Sequence, residues 1–93
     1  DDNKYQNDKS TFETMSLGNI KDKIQSFSIN YLQVNGQSLL EIDNAFKASE
    51  GKSTFIHLET TKGAGVSFME GLEWHAKIPS ELEFQNALKI LNL

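Results

Sequence analysis

Three serines in this chain are each followed, three residues later, by a glutamate at the head of an apolar-periodic run: Ser10 with Glu13, Ser38 with Glu41, and Ser80 with Glu83. In such a box the hydroxyl accepts from an amide that the first helical turn leaves without a partner. The glutamate reaches back to the amide of the serine. Each pair predicts a helix start, and together they divide the chain into three helices with strand-like sequence between them.

Behind Ser10, Phe12, Met15, Leu17, Ile20, Ile24 and Phe27 fall at helical spacing, broken at Gly18-Asn19. Alternation through Ile29, Tyr31, Leu32 and Val34 predicts a first strand that stops at Asn35-Gly36. The second helix carries Leu39, Ile42, Ala45 and Phe46 on one stripe and ends at Gly51. Residues 52–61 alternate again. From Val66 to Ile78 the apolar residues Val66, Phe68, Leu72, Trp74, Ala76 and Ile78 keep one parity, interrupted by Glu70. A hairpin is expected here, closed by Gly63-Ala64-Gly65 and pairing Thr60 with Phe68, Ile56 with Leu72 and Thr54 with Trp74. Pro79 ends that strand. The last helix then buries Phe84, Ala87, Leu88 and Leu91.

The expected fold is therefore α+β, a two-layer sandwich of order α-β-α-β-β-α. Its three-stranded, mostly antiparallel sheet has the helices packed on one face. The link between the first two strands is long enough for a right-handed crossover, so those two are expected to run parallel. In outline this resembles a ferredoxin-like plait lacking its last strand. One domain over residues 10–93 is expected, preceded by a polar disordered tail, residues 1–9. That tail reads as a mature amino terminus after signal cleavage would, and a domain trimmed at its edge reads the same. The absence of cysteine favours a bacterial or intracellular source, since a small secreted eukaryotic domain would usually carry disulfides, while a secreted or periplasmic location is slightly favoured over a cytoplasmic one.

Charge and composition narrow the chemistry. The net charge is −4, and all nine basic residues are lysines, so the bidentate arginine reader of phosphates is missing and nucleic acid is not an expected partner. Without cysteine there are no disulfides, thiolate nucleophiles or thiolate metal sites. No apolar run approaches the roughly 18 residues of a membrane span, so membrane insertion is not expected. Gly51-Lys52-Ser53-Thr54 resembles the end of a phosphate-binding loop, but Phe46 stands where its first glycine is needed. The helix and strand also come in the reverse order. No serine sits in a Gly-x-Ser-x-Gly elbow.

Two histidine–carboxylate pairs, His57 with Glu59 and Glu73 with His75, alternate along the expected hairpin. Its register would hold the two imidazoles about 13 Å apart, too far to share an ion. No metal, cofactor or catalytic residue is therefore expected. Phe55 and Met69 fall on the same parity as these polar residues, giving a half-apolar sheet face that helices on the other side would leave open. Phe55, His57, Met69, Glu73 and His75 are the expected binding residues. Their partner is expected to be another protein or peptide, or a second copy in a homodimer. The function expected is non-catalytic: an inhibitor, immunity-type, adaptor or accessory domain.

Val34-Asn35-Gly36, the apolar-striped segment after it, and the stretch from Ser53 to Gly63 resemble the second half of a bacterial PDZ domain. The likeness covers about a third of the chain and implies peptide binding. The glycine-rich carboxylate-binding loop of that family is missing, and no PDZ binding residue carries over. A small hydrolase or metal-assisted enzyme using His57 with Glu59 or Glu73 is the remaining alternative.

Overall fold

The computed structural model describes residues 1–7 and 9–93. The elements run β1 (Tyr5–Gln6), β2 (Lys9–Ser10), α1 (Thr11–Met15), α2 (Ile20–Ser26), β3 (Asn30–Asn35), α3 (Leu39–Ala48), β4 (Thr54–Glu59) and α4 (Glu81–Ile90). Two 3₁₀ turns, Ser67–Met69 and Leu72–Trp74, lie between β4 and α4.

All three serine caps form. Ser10 Oγ accepts from the Glu13 amide, and the Glu13 carboxylate accepts from the Ser10 amide. Ser80 and Glu83 repeat the arrangement. At Ser38 only half of the box closes: its hydroxyl accepts from the Glu41 amide, but the Glu41 carboxylate accepts from the Asn35 amide at 2.8 Å. That bond ties the start of α3 to the end of β3. The run expected as one helix is two, because Gly18 at φ +60° breaks it and Asn19 caps α2 through the Asp22 amide.

β3 and β4 pair in parallel, with Tyr31 beside Phe55, Leu32 beside Ile56 and Gln33 beside His57. Period two then puts Leu32, Val34, Ile56 and Leu58 on one face and Tyr31, Gln33, Phe55, His57 and Glu59 on the other. The chain leaves β3 through Gly36, whose amide donates to the Glu59 carbonyl at 2.7 Å. A Cβ there would collide with Thr60 Cγ2, so this close passage admits only glycine. On the far side of β4, Asp2 forms a parallel bridge with Glu59; its amide donates to the Leu58 carbonyl, and its carbonyl accepts from Thr60. A separate antiparallel pair joins β1 to β2, with Tyr5 opposite Ser10.

The expected three-stranded, mostly antiparallel sheet is thus corrected: among the described residues there are two separate two-stranded sheets, one antiparallel and one parallel. The stretch from Val66 to Ile78 forms no strand. Its apolar residues also recur at threes, Val66, Met69 and Leu72, and that period suits a 3₁₀ turn, in which i and i+3 align. Met69 N–H donates to the Val66 carbonyl and His75 N–H to that of Leu72, with Gly71 at φ +145° between the turns. Trp74 Nε1 donates to the Phe68 carbonyl at 2.7 Å, and the two rings meet edge to face, centroids 5.8 Å apart. The stretch curls on itself instead of pairing with β4.

Nor do all the helices pack on the strands. α2 and α3 lie against β3, while among the described residues α4 has no comparable seat on the strands. The buried apolar residues are Ala45, Val66 and Ala87, whereas Leu39, Phe46, Ile78 and Leu82 stay exposed. The radius of gyration is 16.5 Å, against about 12 Å for a compact chain of this length.

Candidate functional site

His57 is the one buried polar residue among those described, and it is held from both sides. Its Nε2 lies 2.8 Å from Asp2 Oδ2 and its Nδ1 2.5 Å from the Tyr31 hydroxyl. A carboxylate can only accept. With a neutral ring, Nε2–H therefore donates to Asp2, and Nδ1 accepts from Tyr31. Tyr31 and Asp2 lie 26 and 55 positions from His57 in the chain and meet it because β3 and the Asp2 bridge flank β4.

The carboxylates around it are held charged. Burial acts to raise the Asp2 carboxyl, but hydrogen bonds from Lys4 and His57 outweigh it and hold Asp2 below the ordinary aspartate value. Glu59 is lowered by a hydrogen bond from Gln33, helped by Lys4 at 3.6 Å. Lys4 is raised in turn, chiefly by its 2.6 Å bond to Asp2. Burial, with Glu59 and Asp2 nearby, raises Tyr31. Beside this network a cleft of about 170 Å³ is walled by Tyr5, Leu17, Ile20, Phe55 and His57.

A second cleft, of about 440 Å³, opens where the 3₁₀ turns meet α4, walled by Lys62, Val66, Met69, Trp74, Lys77 and Leu91. Lys77 Nζ stands 4.0 Å above the Trp74 ring and 2.8 Å from Glu83. Half-buried Lys62 forms no ion pair with a described residue.

The five expected binding residues do not share one face. Phe55 and His57 belong to the first cleft, where Phe55 stacks on Tyr31 with centroids 6.1 Å apart. Met69 lies in the wall of the second. Glu73 and His75 are exposed on and just after the second 3₁₀ turn. Without the hairpin, the register that was to align them does not exist. Sequence reasoning missed Asp2 as a partner of His57, and Lys62 and Lys77 as walls of a cleft. The cation over Trp74 had a local signal, the spacing of three between Trp74 and Lys77. Among the described residues, no group of three His, Cys, Asp or Glu side chains is placed to hold a metal ion. No described helix is long and apolar enough to cross a membrane.

No protein-family model matches the chain. It is 33% identical over 93 residues to an apulose-4-phosphate transketolase subunit of Phocaeicola vulgatus, with 96% of this chain covered and 33% of that one. The protein of the same name from Actinobacillus succinogenes is 31% identical over 94 residues, covering 98% of this chain and 34% of that one. A 6-deoxy-6-sulfo-D-fructose transketolase subunit, SqwG, of a Clostridium species is 38% identical over 74 residues, covering 76% and 27%. The chain spans about a third of the length of these curated relatives.

These likenesses correct the functional expectation. A non-catalytic inhibitor, immunity-type, adaptor or accessory domain, classed as no enzyme, does not fit a chain matched along nearly its whole length by subunits of enzymes. The PDZ-like and hydrolase or metal-assisted alternatives give way to the same finding.

Proposed function

We propose that this chain forms part of a larger transketolase subunit, working in an assembly with other protein. The observation that carries this reading is the 33% identity along 96% of the chain with one third of a named transketolase subunit. The geometry supports it. β3, α3 and β4 form a parallel β–α–β unit, and parallel strands belong in larger sheets covered on both faces. Here the pair has one long partnered edge and large apolar side chains in the open. Both features fit a unit whose remaining neighbours are the other two thirds of such a subunit.

The substrates named for the relatives are sugars carrying a phosphate or a sulfo group. The second cleft has the volume for such an anion, and Lys62, without an ion pair among the described residues, supplies a cation in its wall; Lys77 is paired with Glu83 and lies over the Trp74 ring. Within this reading Met69 is a wall of the substrate cleft, and Glu73 and His75 are not among the residues that line it. Phe55, which is exposed, belongs to a surface that the rest of the subunit covers, whereas His57 is already buried within this chain.

Replacing the aligned third of the Phocaeicola vulgatus subunit with this chain tests the assignment. A soluble chimera should keep at least about a tenth of the parent's turnover of apulose-4-phosphate, a difference of roughly 1.4 kcal/mol in barrier. A folded chimera with no turnover would sink the proposal.

A further inference from the structure

Asn35 is exposed and is followed by Gly36. Asparagine is chemically labile, and most so before glycine, where no Cβ shields the next backbone nitrogen from the side chain. In that reaction the Gly36 nitrogen gives up its proton and bonds to Asn35 Cγ. The Cγ–Nδ2 bond breaks, and Nδ2 takes up a proton and leaves as ammonia. Water then opens the succinimide ring at either carbonyl, giving aspartate or the chain-lengthened isoaspartate, with no change of oxidation state. The fold ties down the groups that this step must free. Gly36 N–H donates to the Glu59 carbonyl at 2.7 Å, and the Ser38 amide donates to the Asn35 carbonyl at 3.0 Å. Asn35 Oδ1 accepts from the Gln37 amide at 2.9 Å, which holds the carboxamide in place, and the Asn35 amide donates to Glu41 Oε2 at 2.8 Å.

We propose that Asn35 is a deamidation site gated by the β3–β4 pair. The Gly36 amide loses its proton to solvent only when its bond to Glu59 opens, so the chain is modified here only while the ends of the two strands are apart. A slower-reacting neighbour cannot replace the glycine, because a Cβ at position 36 would collide with Thr60 Cγ2. The close passage that demands glycine therefore also supplies the bond that protects it. Isoaspartate would add one methylene to the main chain between β3 and α3, where Asn35 pairs with Glu59, and would shift Gly36 away from its acceptor. Either product also sets a new carboxylate beside that of Glu41. A transient opening is thereby converted into a lasting one.

Incubation of the whole chain at mildly alkaline pH, followed by chromatography with mass detection, measures deamidation at Asn35. Amide hydrogen exchange at Gly36 in the same buffer measures how rarely its bond opens. A peptide of residues 33–38, which has no β4 to bond to, gives the ungated rate. Deamidation in the folded chain should be slower than in the peptide by the Gly36 protection factor, at least about tenfold, and the two factors should agree within about threefold. Leu58→Ala leaves residues 33–38 intact and removes the side chain opposite Val34 in the register. It should lower Gly36 protection and speed deamidation in the same proportion, down to the peptide rate if the strands part altogether. A folded chain that deamidates at the peptide rate while Gly36 is protected, or a Leu58→Ala variant that loses protection without gaining deamidation, overturns the proposal. An unprotected Gly36 amide in the native chain does so as well.

Discussion

At the scale of single residues, the serine caps are the interactions most firmly tied to sequence, because each hydroxyl and the amide it accepts from lie three positions apart. Glu83 shows what they are worth electrostatically. Lys77 and then the Ser80 amide hold its carboxyl at about 2, below the ordinary glutamate value of 4.5. A carboxyl lowered by folding stabilises the folded form above its unfolded pKa, and that contribution fades as pH falls toward the folded one. Helical signal from α4 should therefore decline between about pH 4.5 and 2, and Glu83→Gln should flatten the decline; circular dichroism across that window checks both. Ser80→Ala should cost about 1 kcal/mol at any pH, since it removes the acceptor of the Glu83 amide. The Asp2–His57 bond is the opposite case. Neither residue carries a local sign of the other, and 55 positions of chain must fold before they meet.

At the scale of elements, a sequence pattern decides only when one period fits it. α3 has a cap, a stripe and a stop that agree, α4 has a cap and a stripe, and both form where those signals place them. The stretch from Val66 to Ile78 satisfies a period of two and a period of three at once, and the backbone bonds of the shorter-range choice prevail. Glu70 and Gly71, which interrupt the alternation, were the signs against a strand. Gly63 makes the turn possible. It sits at φ +73°, and a Cβ there would collide with the Met69 carbonyl oxygen. Gly63→Ala should therefore open the turn, at a cost above about 2 kcal/mol, and free the Met69 amide to exchange. Gly51→Ala, also at positive φ but with open space around its Cβ, should cost only the backbone term, about 1–2 kcal/mol, and leave Met69 protected. Equal exchange at Met69 in both variants would mean that the close approach does not govern the turn. If that turn shapes the wall of the proposed substrate cleft, Gly63→Ala in the active chimera should raise KM for apulose-4-phosphate, as should Lys62→Ala; an effect of about tenfold is expected for the lysine. An unchanged KM for Lys62→Ala would place the anion elsewhere.

At the scale of the molecule, the stripes were legible but their cover was not. Leu39, Ile42, Ala45 and Phe46 mark one side of α3 in the sequence, yet Ala45 is buried while Leu39 is 84% and Phe46 64% exposed. A stripe says that a face needs covering, and it is silent on whether the cover belongs to the same ninety-three residues. The expectation of a two-layer sandwich supplied that cover from within, and so closed a core that this chain leaves open. The proposed place in a larger subunit makes a distinguishing prediction. In the chain by itself, Leu39→Asp and Phe46→Asp should change stability by no more than about 0.5 kcal/mol, as exposed sites do. In the chimera with the transketolase subunit, the same carboxylates would be forced against apolar neighbours, and each should cost about 2 kcal/mol or more, read as a lower melting temperature and lost turnover. Substitutions that are silent in both settings would leave α3 facing water, and the rest of the subunit would have to dock on another side.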